Sequence, residues 1–210
     1  MATDPAAAPL GVILAGGRSR RMGGGDKALL PLAGRPLIAH VIDRLAPQVA
    51  ALAINANGAP ERFAPFALPV IGDSVAGFAG PLAGVLAGLE YARARGHEQI
   101  VTAAADTPFL PRDLVARLQG GIGGCSVALA ANANEDGRIW RHPTFGLWRV
   151  SLIESLREAL AAGTRKVVAF TDAQACAEVM FPAAGPDPFF NVNTPEDMAR
   201  ARALASEGAR

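Results

Sequence analysis

The chain has 210 residues, half of them apolar, and its 20 basic and 19 acidic side chains leave a net charge of +1. This balance excludes a general nucleic-acid or membrane-surface binder, because either class would carry a strong basic excess. The length and apolar content fit one large domain with a sizeable core, and no apolar run is long enough to span a bilayer.

The N-terminus is rich in alanine and has neither the basic residues nor the uninterrupted apolar run of a signal peptide. We expect residues 1–8 to be disordered and residues 9–210 to form a single domain in the cytoplasm. The two cysteines, Cys125 and Cys176, have no metal-ligand spacing and indicate no disulfide framework. We interpret them as small buried residues in a reducing compartment.

The first predicted element is a buried strand over residues 10–14, followed by a loop rich in glycine and basic residues. Glycines let the backbone take positive φ and lie close to a ligand, and successive N–H groups in such a turn form an anion site. The clustered cations repel one another unless an anion lies among them. The sequence therefore predicts a polyphosphate site formed by Gly16, Gly17, Gly23, Gly24, Gly25, Arg18, Arg20, Arg21 and Lys27.

Two common phosphate-binding motifs do not fit this loop. A Walker A loop requires Gly directly before the Lys and Ser or Thr directly after it, whereas Asp26 precedes Lys27 and Ala28 follows it. The dinucleotide motif G-x-G-x-x-G cannot be placed on residues 16–25 with the correct spacing. A surface loop without a ligand is the alternative, but the length of the motif and the preceding strand argue against it.

Strands and helices then alternate along the chain. Apolar periodicity predicts helices over 36–45, from Pro81 and over 111–118, and strands over 49–55, 69–71, 99–105 and 126–130. This alternation implies crossover connections and a mostly parallel sheet with helices on both faces. Gly84 and Gly88 in the helix from Pro81 would permit close packing on the sheet.

The pattern changes after Ala130. An exposed loop over 132–141 is predicted first, followed by a strand over 142–148. A helix is then opened by a capping box at 151–154 and closed by Gly163. The remaining predicted elements are a short helix or turn from 166, a strand over 178–181, a core segment at 189–193 and a last helix with Pro195 at its first position.

Polar residues lie at the predicted carboxyl ends of several strands, where open parallel sheets bind their ligands. Asp106 follows the apolar strand 99–105, and a carboxylate there is costly to bury unless it is paired or bound to a cation. Mg²⁺ takes one or two carboxylates together with phosphate oxygens. We therefore predict that Asp106 is a metal ligand, and an N-cap for the next turn is the alternative.

The cations of the first loop differ in their predicted roles. Lys27 is the best candidate for stabilising phosphate charge in a transition state, and Arg21 is the second. Arg18 and Arg20 could equally be solvated loop charges. No arrangement of Ser, Cys or His indicates a protein nucleophile, and we interpret His142 as a structural residue.

Asn55 and Asp73 suit a pocket for a nucleotide base. A carboxylate can accept hydrogen bonds from N1–H and N2–H of guanine, and an amide can meet O6, whereas cytosine offers no such paired donors. Turn-forming residues at strand ends are the alternative interpretation.

A family pattern combines these segments. The matching residues are LAGGRSRRMGGGDK at 14–27, NAN at 55–57, Asp73 followed by GPLAG at 80–84, DTP at 106–108, RHPTF at 141–145 and FNVNTPED at 190–197. Together they resemble the molybdenum cofactor guanylyltransferases, the MobA family, over most of the chain. The resemblance implies an α/β, three-layer, Rossmann-like nucleotidyltransferase fold with a mostly parallel central sheet. It also implies transfer of GMP from Mg-GTP to molybdenum-molybdopterin with release of pyrophosphate.

The resemblance also assigns roles by position in these motifs. It implies GTP binding by Leu14, Ala15, Gly16, Gly17, Lys27, Asn55, Asp73 and Asp106. It implies catalysis by Lys27, Arg21 and Asp106, with Asp106 holding Mg²⁺ and Mn²⁺ as the alternative metal. The pterin side would be lined by His142, Pro143, Asn191 and Asn193. Partner proteins would be cofactor-insertion proteins and molybdoenzymes.

Three alternatives are weighed against this family. The cytidylyltransferases for the same pterin tend to have LAAG where this chain has LAGG at 14–17. Sugar-phosphate nucleotidyltransferases share the first loop more loosely, and the FNVNTPED segment at 190–197 counts against them. A non-catalytic GTP-binding partner of molybdoenzymes would lose the metal carboxylate, whereas Asp106 is present. Two features depart from the family pattern: the third glycine, Gly25, and the polar segment 132–138, which has no assigned role.

Overall fold

The computed structural model describes residues 8–16, 26–75, 77, 80–133, 136–182 and 187–207. Most of the glycine- and arginine-rich loop lies outside these residues, as do residues 1–7 of the segment predicted to be disordered. Within the described residues, no helix combines the length and apolar character needed to cross a membrane.

In the part of the chain that the structure describes, nine strands form two sheets. The strands are β1 (Leu10–Leu14), β2 (Pro31–Leu32), β3 (Arg35–Pro36), β4 (Ala51–Asn55), β5 (Val70–Ile71), β6 (Gln99–Ala104), β7 (Val127–Ala133), β8 (Ile139–Arg149) and β9 (Cys176–Met180). The central sheet has seven strands in the order β5-β4-β1-β6-β8-β7-β9, and β2 and β3 form a separate antiparallel hairpin. Within the central sheet only β8 runs against its neighbours. The predicted mostly parallel sheet is confirmed.

Over the described residues, six α-helices and four short 3-10 helices connect or flank these strands. The α-helices are α1 (Leu37–Leu45), α2 (Pro81–Arg93), α3 (Leu114–Ile122), α4 (Ile153–Ala161), α5 (Val167–Thr171) and α6 (Pro195–Glu207). The 3-10 helices cover Lys27–Leu29, Ala46–Gln48, Pro60–Phe66 and Val150–Leu152.

Hydrophobic clusters cover both faces of the central sheet. Alternate residues of β1 point to opposite faces, so Ile13 packs with α1 and α3 while Val12 packs with α2, α4 and α5. Both faces are buried, which explains why β1 and β6 are apolar almost throughout. The predicted three-layer α/β architecture is confirmed.

Two glycines of α2 allow this helix to approach the sheet closely, as predicted. A Cβ on Gly88 would lie 2.9 Å from Cγ2 of Val12, and one on Gly84 would lie 2.2 Å from Oδ1 of Asn55. Both distances are too short for real Cβ contacts. The second contact places α2 directly behind a predicted binding residue.

The predicted capping box at residues 151–154 is wrong. The 3-10 helix Val150–Leu152 runs directly into α4, and no side chain caps the first turn of that helix. The carboxylate of Glu154 instead binds the guanidinium of Arg157 one turn later. The close of α4 is as predicted, because Gly163 has a φ of +93° and the following N–H of Thr164 bonds the carbonyl of Ala159 at 2.9 Å.

The predicted exposed loop over 132–141 is also wrong in extent. β7 continues to Ala133 and β8 starts at Ile139, so the two strands pair as a hairpin with Asn132 opposite Trp140. Antiparallel pairing satisfies the backbone at the paired positions of β7 and β8, and Asn132 is only 9% exposed. The polar composition predicted a loop, but pairing between β7 and β8 makes both ends of this segment strands.

Smaller differences concern element boundaries and the cysteines. The helix predicted from residue 111 begins at Leu114, because the preceding residues form a turn in which the N–H of Leu114 bonds the carbonyl of Pro111. Pro36, predicted as the first residue of α1, is the residue before it. Cys125 and Cys176 are free thiols that are half-buried rather than fully buried.

Candidate active site

Register brings the predicted strand ends to one level of the sheet. Leu14 lies opposite Asn55 on β4 and opposite Ala104 on β6, and Asn55 lies opposite Ile71 on β5. The N–H of Ala15 bonds the carbonyl of Asn55 at 2.8 Å, which holds the start of the glycine loop to this edge. The polar residues predicted at strand ends therefore share the carboxyl edge of the parallel strands.

Lys27 connects several segments at this edge. It opens a 3-10 turn capped by Asp26, whose carboxylate accepts from the N–H of Ala28 at 3.3 Å. The Lys27 ammonium forms an ion pair with Asp106 and donates a second hydrogen bond to Oδ1 of Asn193. These bonds join the first loop, the end of β6 and the segment before α6.

The segment before α6 is fixed on the Asp106 turn by further contacts. The N–H of Val192 bonds the carbonyl of Asp106 at 3.0 Å, and the buried Thr107 hydroxyl donates to Oδ1 of Asn191. Asn191 and Asn193 were predicted on the pterin side. The structure places the side chain of Asn193 on Lys27, the predicted phosphate cation, and that of Asn191 on Thr107, the residue after Asp106.

Asn55 and Asp73 form the other half of the edge. Nδ2 of Asn55 donates to Oδ1 of Asp73 at 3.0 Å and to the carbonyl of Ile71 at 3.2 Å. Asn55 is 5% exposed, and its Oδ1 packs against Gly84 at the start of α2. Its amide nitrogen therefore has its partners within the protein, and it orients the half-buried carboxylate of Asp73.

The His142 side chain belongs to a small cluster near the hairpin of β7 and β8. Its Nε2 lies 2.9 Å from Oδ1 of Asn132, and its ring stacks on Phe189 with centroids 4.2 Å apart. Burial lowers the pKa of His142 below its ordinary value, and the Asp187 carboxylate opposes this effect in part. Asp187 also accepts from Nδ2 of Asn132 at 3.2 Å. Pro143 is half-buried in the same strand.

The predicted site residues thus fall into three groups. Leu14, Ala15, Gly16, Lys27, Asn55, Asp73, Asp106, Asn191 and Asn193 lie at one edge of the sheet. His142 and Pro143 lie on β8, connected to that edge through the segment 187–193. Arg21 and Gly17, together with Arg18, Arg20 and Gly23 to Gly25, lie outside the described residues.

Sequence reasoning missed several residues that shape the edge. Asn57 and Arg62 bind Asp73 and Asp26, and Thr107 anchors Asn191. Asn57 and Thr107 belong to the NAN and DTP segments, so their motifs could have pointed to them. Arg62 lies half-buried in the 3-10 helix Pro60–Phe66, and no motif marks it.

Asp106, the predicted metal ligand, does not belong to a cluster of candidate ligands in the described part of the chain. Among the described residues, no group of three or more His, Cys, Asp or Glu side chains is placed to hold a metal ion. Oδ1 of Asp106 has a long contact of 3.4 Å with the Thr107 hydroxyl, while Oδ2 pairs with Lys27. A single carboxylate at such an edge fits Mg²⁺, which binds one or two carboxylates and completes its shell with phosphate oxygens and water.

Comparison with known proteins shows which proteins this chain is similar to. Residues 11–177 match the model of the MobA-like NTP transferase domain. A molybdenum cofactor guanylyltransferase from Bradyrhizobium sp. (strain ORS 278) is 49% identical over 211 residues, covering 98% of this chain and 97% of the relative. Another from Rhodopseudomonas palustris (strain BisB5) is 52% identical over 204 residues, covering 95% of each chain.

The chain belongs to the molybdenum cofactor guanylyltransferase family. The resemblance carried by the sequence motifs is therefore confirmed, and the chain is a nucleotidyltransferase. The crystal structure of molybdopterin-guanine dinucleotide biosynthesis protein A from Archaeoglobus fulgidus has the same fold, with a TM-score of 0.74 at 24% identity, covering 94% of this chain and 99% of that one.

Proposed function

We propose that this chain transfers GMP from GTP to the terminal phosphate of molybdenum-molybdopterin and releases pyrophosphate. One observation carries the proposal: the cation of Lys27, the carboxylate of Asp106 and the amide of Asn193 meet at the carboxyl edge of the sheet. This junction has the groups that a polyphosphate with a bound metal requires. The guanylyltransferases at about half identity support GMP as the transferred group.

The reaction needs no protein nucleophile. An oxygen of the pterin phosphate forms a bond to the α-phosphorus of GTP, and the bond between that phosphorus and the bridging oxygen breaks. Pyrophosphate leaves with the electron pair of the broken bond. Positioning and electrostatic stabilisation therefore supply the catalysis. Lys27 would stabilise the negative charge that develops on the leaving pyrophosphate, and Arg21 would assist it.

Asp106 would hold the divalent ion, which we propose to be Mg²⁺ with Mn²⁺ as a substitute. When bound, the ion would neutralise phosphate charge and polarise the oxygens around the α-phosphorus. The segment from Leu14 to Gly17 would lie along the phosphates, since a glycine loop after a strand allows close approach. Because the N–H of Ala15 already bonds the carbonyl of Asn55, Gly16 and Gly17 would supply the N–H donors.

Asp73 would recognise the guanine base. Its carboxylate can accept from N1–H and N2–H of guanine, which cytosine cannot match. Asn55 would act mainly by holding Asp73, because its amide nitrogen already binds Asp73 and the carbonyl of Ile71.

The pterin substrate would approach from the side of the segment 187–193. Asn191 and Asn193 lie against the Asp106 turn, and His142 and Pro143 lie further along the same side on β8. We propose that the product then passes to cofactor-insertion proteins and molybdoenzymes in the cytoplasm.

The test is pyrophosphate release by the purified protein with Mg²⁺, molybdenum-loaded molybdopterin and either GTP or CTP. We expect release with GTP and none above background with CTP or without the pterin. Release with CTP would assign the substrate of the cytidylyltransferases instead. GTP binding without release would indicate a non-catalytic binding partner, and either result would overturn the proposal. Arg93→Ala, at the C-terminal end of α2, is a matched surface control.

A further inference from the structure

Arg62 connects two parts of the edge that the predicted mechanism treats separately. It lies in the 3-10 helix Pro60–Phe66 that follows β4, and its side chain is 26% exposed. Its Nε donates to Oδ2 of Asp26 at 2.6 Å, and its Nη2 donates to the carbonyl of Asn57 at 2.7 Å. A third bond reaches the carbonyl of Ala59, and the guanidinium lies 4.6 Å from the ring centre of Phe63. Each of the three guanidinium nitrogens therefore donates a hydrogen bond.

On one side of Arg62, Asn57 holds the carboxylate of Asp73. Nδ2 of Asn57 donates to Oδ2 of Asp73 at 2.7 Å, and Oδ1 of Asn57 accepts from the N–H of Asp73 at 2.9 Å. Nδ2 of Asn55 binds the other carboxylate oxygen. Two amides therefore fix the plane of the carboxylate that would accept from guanine. Since Arg62 binds the main chain of Asn57, it fixes the position of this reciprocal pair.

On the other side of Arg62, Asp26 caps the turn that begins with Lys27. The side chain of Asp26 is 16% exposed and its charge is balanced by Arg62. A partly buried carboxylate without this partner would attract the next cation in the chain, which is Lys27. The Arg62–Asp26 pair thus leaves the ammonium of Lys27 with Asp106 and Asn193.

We propose that Arg62 is a positioning residue that couples recognition of the guanine base to placement of the phosphate-binding lysine. The inference rests on the proposed function. The connection runs from Asp73 through Asn57 and Arg62 to Asp26, and Lys27 is the next residue. A ligand that orders Asp73 at one end favours the arrangement of Lys27 at the other end, so both halves of a guanosine triphosphate are bound together.

The test compares GTP with ITP, which lacks only the 2-amino group that Asp73 would bind. We expect Arg62→Gln to raise KM for GTP by about tenfold, the effect of losing a charge-assisted hydrogen bond. The preference for GTP over ITP in kcat/KM should fall by a similar factor. Arg62→Lys should restore little of the preference for GTP, because an ammonium group cannot reproduce the planar set of donors of a guanidinium. A loss of folded protein alone would lower the measured rates with GTP and with ITP equally and leave the preference for GTP unchanged.

Two further variants keep the test decisive. Asn57→Ala removes the bonds to Asp73 but retains the carbonyl that Arg62 binds. We expect it to lower the preference for GTP over ITP with a fold close to that of the native protein, so it measures the effect of freeing Asp73 while the bonds of Arg62 persist. Arg62→Lys serves if Arg62→Gln does not fold. Arg157→Gln is the matched control, because Arg157 also donates to acceptors on two separate elements, to Glu90 on α2 and to Glu154 on α4.

The failure of this inference differs from failure of the proposed function. If the native protein releases no pyrophosphate from GTP, the proposed function is wrong. If the native protein is active and folded Arg62→Gln, or Arg62→Lys in its place, keeps the native preference for GTP over ITP within twofold, the coupling role is overturned, whatever the effect of Asn57→Ala.

Discussion

The ammonium group of Lys27 and the carboxylate of Asp106 form an ion pair although 79 positions separate them in the sequence. Their side chains are 12% and 24% exposed, so both charges are largely withdrawn from water. Removing one partner of such a pair leaves the other charge without compensation. The ion pair therefore fixes the position of both side chains. Replacing Lys27, the predicted phosphate cation, should lower kcat, whereas replacing Asp106, the predicted metal ligand, should change the dependence on Mg²⁺.

Lys27→Ala tests the phosphate role. We expect a kcat for GMP transfer lowered by about 100- to 1000-fold, the usual effect of removing a group that stabilises transition-state charge. The fold should persist, with an unchanged far-UV circular dichroism spectrum. Initial rates of pyrophosphate release measure the loss against Arg93→Ala, whose guanidinium lies on the exposed end of α2. Full activity in Lys27→Ala would show that the phosphates are bound elsewhere.

Asp106→Asn tests the metal role. The amide retains the shape of the carboxylate but loses the charge that a hard divalent cation prefers. We expect GTP binding to lose most of its dependence on Mg²⁺ concentration, as measured by calorimetric titration at several metal concentrations. Asp43→Asn, at an exposed ion pair with Arg35, is the control. An unchanged Mg²⁺ dependence in Asp106→Asn would move the metal to another ligand.

The fold was largely predictable because its sheet is buried on both faces. Apolar runs such as Leu10–Leu14 and the helical spacing after Pro81 are strong local signals, and both elements formed where predicted. The predictions failed where tertiary contacts decide. Asn132 is polar, yet its strand pairs with β8 and its amide binds His142 and Asp187. Such distant partners cannot be deduced from a local pattern.

The site was predictable in position more than in contacts. Strand ends gave Asn55, Asp73 and Asp106 correctly as residues of one edge. The pairing of Lys27 with Asn193, and the bonds of Arg62 to two separate segments, depend on how the loops fold over that edge. Those contacts come from long-range packing and leave no periodic signal.

Gly84→Ala tests how closely α2 must approach the base side. A Cβ at this position would lie 2.2 Å from Oδ1 of Asn55 and 2.9 Å from Cδ2 of Leu14, so one of the elements must shift. We expect a loss of about 1–3 kcal/mol in unfolding free energy, as for other overpacked cores. Affinity for GTP should fall as well, because Asn55 orients Asp73.

Gly120→Ala is the control for this substitution. It also lies within a helix, α3, but a Cβ there would meet no atom within 4 Å. We expect it to raise the unfolding free energy by about 0.4–1 kcal/mol through reduced freedom of the unfolded chain. Urea unfolding measures both variants, and GTP titration separates the site effect. Equal stability of the two variants would contradict the tight packing of α2 on Asn55.

His142 gives a prediction about pH. Burial lowers the pKa of His142 in the folded protein below its ordinary value of 6.5, so the unfolded chain takes up the proton first as the pH falls. Stability rises with pH wherever the unfolded state binds more protons. The contribution of His142 is therefore present above its unfolded pKa and is lost as the pH falls towards its folded pKa.

We expect the unfolding free energy of the native protein to decline more steeply than that of His142→Gln as the pH falls from about 7.5 to 5, the range in which histidine titrates. Gln retains a polar group that can reach Asn132, and it cannot gain a proton. Urea unfolding at each pH gives the two curves, and His97→Gln controls for the loss of any histidine. Carboxylates that titrate in the same range are common to all three proteins, so they cancel in the difference. Parallel curves for the native protein and His142→Gln would show that protonation of this histidine is not coupled to folding.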